Sequence, residues 1–106
     1  MAKLEITVDN FAAEVEQAAG TVLLDFWAPW CGYCRMIDPV LEAVDADMEA
    51  AGSEFAVGKI NIDEQPELAE RFGVDTIPTL IVYRDGQKLT QTVGFKNKTA
   101  VLDLLK

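Results

Sequence analysis

Apolar and polar positions along this chain fall into short runs whose period switches between two and about 3.6, as when strands alternate with helices. Leu4 to Val8 alternates as a strand. Phe11, Val15 and Ala18 recur at helical spacing after Asp9 or Asn10 as cap, and Gly20 ends that helix. Thr21 to Trp27 is apolar on both faces apart from Asp25, the signature of a central parallel strand. After Cys31 a long helix carries Ile37, Leu41, Val44 and Met48 on one stripe, with Pro39 inside it and expected to kink it. Phe55 to Ile62 reads as a strand, and Glu67 to Phe72 as a short helix begun by Pro66. Thr79 to Tyr83 and Lys88 to Val93 form a hairpin about Arg84-Asp85-Gly86-Gln87. Val101, Leu102, Leu104 and Leu105 give a closing helix. The order β-α-β-α-β-α-β-β-α predicts an α/β fold: a central mixed β-sheet with helices on both faces, in one domain over 1–106.

Composition supports a folded globule, with half the 106 residues hydrophobic and a quarter charged. The net charge of −9 opposes binding to nucleic-acid phosphates and to anionic membranes, so neither partner is expected. Met1 to Asp9 alternates without an apolar run of signal-peptide length, and no stretch has the 18 or more apolar residues of a membrane span. A cytoplasmic location and a monomer are the expectations.

The chain has two cysteines and no histidine. That removes every Cys–His nucleophile and every Cys/His zinc pattern. Two thiols supply only two of the four ligands of a tetrahedral zinc site. A structural staple across so short a loop constrains the unfolded chain little. Redox chemistry remains. Cys31 and Cys34 follow a central strand and open a helix, where residues three apart have Cα atoms roughly 5 Å apart, so the backbone accepts dithiol and disulfide alike. Free backbone N–H groups at the helix start favour a thiolate on Cys31 by about 0.3–2 kcal/mol. Cys34 lies one turn inside, away from that field. Cys31 is therefore the attacking thiol and Cys34 the resolving one.

Asp25-Phe26-Trp27-Ala28-Pro29-Trp30-Cys31-Gly32-Tyr33-Cys34 resembles the active-site segment of the thioredoxin family, and Met36-Ile37-Asp38-Pro39 resembles its continuation. Lys59-Ile60-Asn61-Ile62-Asp63, Thr76-Ile77-Pro78-Thr79-Leu80 and Val93-Gly94 are similar to further family blocks, in order, across essentially the whole chain. The resemblance implies the thioredoxin fold and a protein-disulfide reductase. Its redox disulfide would be Cys31–Cys34, its substrates proteins with disulfides, and an upstream thioredoxin reductase would regenerate the dithiol. No metal, flavin or nucleotide cofactor is expected.

Read from residues alone, Asp25 is either a buried acid with a raised pKa or a strand-end aspartate reaching solvent; the resemblance implies the former, serving Cys34 as a base. Lys59 gains meaning if strands 21–27 and 55–62 are adjacent, since its ammonium then approaches Asp25; otherwise it reaches solvent. The resemblance also implies a cis Ile77–Pro78 bond packed against the cysteines. Around Cys31 it places a substrate-docking surface of Trp30, Gly32, Tyr33, Ile77, Pro78, Val93 and Gly94. Trp27 is expected to be structural.

Tyr33 departs from the family, whose usual residue there is proline, and leaves the redox poise open. An oxidase or isomerase on the same fold is thus one alternative, and a binding module without turnover is another. Asp38, one turn after Cys34, could support the Cys34 proton or exchange protons with Asp25, but the plainer expectation is that it points to water. Asp75 adds negative charge near the docking rim.

Overall fold

The computed structural model describes residues 3–106; Met1 and Ala2, with which the amino-terminal alternation begins, lie outside them. Five strands, β1 (Lys3–Glu5), β2 (Thr21–Trp27), β3 (Phe55–Asn61), β4 (Thr79–Arg84) and β5 (Gln87–Val93), form one sheet in the order β1-β3-β2-β4-β5. β3 is parallel to β1 and β2, whereas β4 is antiparallel to β2 and β5 to β4. Among the described residues the α-helices are α1 (Gly32–Ala50), α2 (Pro66–Arg71) and α3 (Lys98–Leu104). The architecture is the mixed α/β sheet that the periodicity predicts.

The alternation of side chains along β2 sorts the core into two layers. Val22, Leu24 and Phe26 pack with Phe11, Val15, Ile60, Leu68, Ile81 and Tyr83 on one face of the sheet. Leu23 packs on the other, against Ile37, Leu41 and Val44 of α1 and Val101 of α3. Asp25, two residues beyond Leu23, belongs to this second face, the one covered by α1.

Helix α1 runs unbroken through Pro39 and ends in a Schellman arrangement. The Gly52 and Ser53 N–H groups return to the Glu49 and Met48 carbonyls at 3.0 Å each, and Gly52 takes the φ of +72° that closes the motif. The hairpin is a two-residue turn, with Asp85 at φ 51° and Gly86 at φ 83°, as Asp-Gly between strands predicts.

Two predicted elements come out differently. The amino-terminal strand ladder stops at Glu5 rather than Val8. Asn10 explains this: its Oδ1 accepts the Thr7 N–H at 2.7 Å and its Nδ2 donates to the Glu5 carbonyl at 2.8 Å, folding the chain into a turn. Asn10 thus ends a strand instead of capping a helix. The predicted helix through Ala18 is a single π-helical turn, Ala12–Glu16, closed by the Gln17 N–H on the Ala12 carbonyl. Beyond it the chain is committed elsewhere. The Gly20 N–H donates to Asp85 Oδ1 and the Asp85 N–H to the Gly20 carbonyl, both at 2.8 Å, so the hairpin turn captures the segment a continuing helix would need.

Candidate active site

Strand β2 delivers the chain to Ala28, whose carbonyl accepts the Cys31 N–H at 3.1 Å and turns it into α1. Cys31 is the N-cap of that helix, extended at φ −93° and ψ 111°. Its sulfur accepts the Cys34 N–H at 3.2 Å, where a Ser or Asp oxygen would sit in an ordinary cap. The capping atom is therefore the candidate nucleophile. Cys31 and Cys34 are joined in a disulfide with Cα atoms 5.3 Å apart, the spacing helix geometry predicts.

Both cysteines are buried, Cys34 the more deeply, and they share an apolar nest with Ala28, Trp27, Ile62 and Ile77. Cys31 Sγ lies 3.9 Å from the Ile77 carbonyl oxygen. The Ile77–Pro78 peptide is cis. The Pro78 carbonyl accepts the Gly94 N–H at 2.8 Å, and Val93 stands opposite Thr79 in the β4–β5 ladder. These contacts bring the segments 28–34, 76–79 and 93–94 together at one end of the sheet. Gly32 faces open space, and Trp30, Tyr33, Met36 and Val93 all expose more than half their surface. Met36 was not singled out from sequence, although its place one turn after Gly32 marks it as surface-facing.

Trp30 is 66% exposed but anchored, for its Nε1 donates to Asp63 Oδ2 at 3.1 Å. Asp63 lies beyond β3 and carried no individual role in the sequence reading. Asp75 is exposed, and its Oδ1 accepts the Thr76 hydroxyl at 3.3 Å.

On the sheet face covered by α1, Asp25 is fully buried. Lys59 stands opposite it in the β2–β3 register, with Nζ 2.7 Å from Asp25 Oδ2. Neither carboxylate oxygen receives a well-aligned hydrogen bond. Loss of hydration pushes the Asp25 carboxyl above the ordinary carboxylate range, and the nearby ammonium offsets only part of that. For Lys59 burial works downward, but attraction to Asp25 and Asp38 outweighs it and raises the ammonium above its usual value. Asp38 does not simply point to water. Its Oδ1 holds the same ammonium, while its side chain stays 41% exposed. Sequence spacing put Asp38 on the helix face of Cys34 but carried no measure of its distance to a strand. Lys59 also borders a surface cleft shared with Lys3, Glu5, Trp27, Asn61 and Glu64.

Among the described residues no cluster of Asp, Glu, Cys and His forms a metal-binding group, and no helix is long and apolar enough to cross a membrane.

A family model described as Thioredoxin matches residues 2–106. Among curated proteins, a thioredoxin of Bacillus subtilis is 47% identical over 105 residues, covering 99% of this chain and 96% of that protein. A thioredoxin of Staphylococcus aureus is 43% identical over 105 residues, with 99% and 96% covered. One from Chlamydia caviae is 42% identical over 100 residues, with 94% and 92% covered.

Proposed function

Since this chain belongs to the thioredoxin family and is a protein-disulfide oxidoreductase working through the Cys31/Cys34 dithiol–disulfide couple, we propose how its residues divide that work. Cys31 thiolate attacks one sulfur of a substrate disulfide; a mixed disulfide forms on Cys31 and the first substrate thiolate leaves. Asp25 then takes the Cys34 proton, directly or through a water. Cys34 thiolate attacks Cys31 Sγ, the second substrate thiolate leaves, and the Cys31–Cys34 disulfide remains. Two electrons have passed to the substrate, and an upstream reductase must return them.

The observation that carries this assignment is the N-cap position of Cys31. The Cys34 N–H donates to the Cys31 sulfur at the positive end of the helix dipole and favours its anion, while Cys34 lies within the first turn, away from that stabilisation. A buried acid with raised proton affinity suits the second task, because a carboxylate that binds a proton more tightly takes one from a thiol more readily. Lys59, the ion-pair partner of Asp25, lines a surface cleft.

Trp30, Tyr33, Ile77, Pro78, Val93 and Gly94, with Gly32, supply the docking surface for a substrate's extended backbone and apolar side chains. The working state is a cytoplasmic monomer, with neither nucleic acid nor membrane as partner.

Trapping tests the scheme. Cys34→Ser should accumulate mixed disulfides on Cys31, and Cys31→Ser should accumulate none. Mixed disulfides forming instead on Cys34 in the Cys31→Ser protein would reverse the assignment.

A further inference from the structure

Lys59 does not serve Asp25 alone. Its ammonium lies 2.7 Å from Asp25 Oδ2 and 2.5 Å from Asp38 Oδ1, so one cation is shared by a carboxylate on β2 and another on α1. Asp38 follows Cys34 by four residues, about one helical turn. The shared ammonium therefore ties the buried acid to the helix that carries the resolving cysteine.

We propose that Asp38 is a positioning residue of the exchange reaction: by sharing the Lys59 ammonium it keeps Asp25 a stronger proton acceptor than an undivided ion pair would. This rests on the role of base proposed above for Asp25. When both carboxylates are ionised, one ammonium faces two negative charges, and protonating Asp25 relieves the excess. The other surroundings of Asp25 do not replace this effect. β4 places Leu80 opposite Asp25, and Lys3 on β1 exerts a weaker attraction while itself paired with Glu42 at 3.3 Å.

Because both carboxylates touch the same ammonium, their nearer oxygens lie within about 5 Å of each other, a range in which a like charge disfavours ionisation. Asp38 is 41% exposed, so water screens it, and Coulomb's law at that separation in a water-like dielectric leaves a repulsion equivalent to about half a pH unit.

The test is Asp38→Asn, which keeps an oxygen for the ammonium and removes the charge. In the full-length reduced protein, the Asp25 carboxyl is followed by carbon NMR against pH. Its midpoint should fall by about half a pH unit, and Asp38→Glu should restore it. The acidic limb for release of substrate from a preformed Cys31 mixed disulfide should move by the same amount. Thermal unfolding checks that each variant is folded, and Asp38→Ser serves if Asp38→Asn is not. An Asp25 midpoint that stays in place or rises in the neutral variant overturns the shared-cation argument and leaves the base role standing. A midpoint that falls while the release profile stays fixed overturns the inference by another route, removing Asp25 as the base.

Discussion

Asp25 and Lys59 face each other across neighbouring parallel strands, the first completely buried and the second with its ammonium 2.7 Å away at the edge of a cleft. The pair is uneven. Burial costs the carboxylate more than the ammonium returns, so Asp25 binds its proton more tightly when folded than when unfolded.

That imbalance fixes how stability responds to pH. A carboxyl whose folded pKa lies above its unfolded one, about 3.9, carries more protons in the folded state between the two values. Its contribution to stability therefore declines as pH rises from about 4 through the folded pKa, and is flat above it. Asp25→Asn removes this decline. Urea unfolding of the oxidised protein should show the variant gaining on the parent as pH rises from 4 to 9. A constant difference would mean that Asp25 titrates normally.

Lys59→Met should act in the opposite sense to Asp38→Asn. Without the ammonium, only the weaker attraction of Lys3 offsets the dehydration of Asp25, and its midpoint rises beyond the parent value. Resolution of the mixed disulfide should then need a higher pH, while attack by Cys31 keeps its own profile. Single-turnover rates against pH read both steps.

The reduced cysteines should differ in reactivity. Alkylation of Cys31 should proceed below the pH range of a free cysteine, about 8.5, because its sulfur caps a helix. Cys34, almost wholly buried, should stay slow until the protein unfolds. Mass mapping after brief iodoacetamide pulses distinguishes the two.

Gly86→Ala should destabilise the fold by about 2 kcal/mol or more. Its φ of 83° disfavours any side chain, and a Cβ there would lie 2.3 Å from the Glu16 carbonyl oxygen, in backbone rather than a movable side chain. The hairpin would have to withdraw from the π-helical turn. Urea midpoints measure the loss; a difference below about 0.5 kcal/mol would contradict the packing described.

Trp30→Ala should raise KM for protein disulfides while leaving the reaction of Cys31 with a small aromatic disulfide within about twofold of the parent. The ring is mostly exposed and held by Asp63 rather than by the core, so its loss removes docking area and little packing. Parallel kinetics on the two substrate types check this.

Local chemistry made the long α1 stripe, the Asp-Gly hairpin and the spacing of Cys31 and Cys34 legible in the chain alone. Each depends on residues close in sequence, where period, turn conformation and helix rise act directly. The docking segments were readable only through family resemblance, because no local pattern joins residue 30 to residues 77 and 93. Bonds that no period announces shortened the two amino-terminal elements: locally, Asn10 reached back to Glu5, and at long range Gly20 bonded the hairpin turn.

The sequence by itself determined the order of elements, the two faces of the sheet and which cysteine caps the helix, because periodicity and backbone polarity are properties of a chain segment. Only the tertiary structure decided that Lys59 stands between Asp25 and Asp38, and that Trp30 is tied to Asp63. A salt bridge across strand and helix depends on register and on the height of one layer above another. Those distances arise when the two layers pack, and no spacing along the chain encodes them.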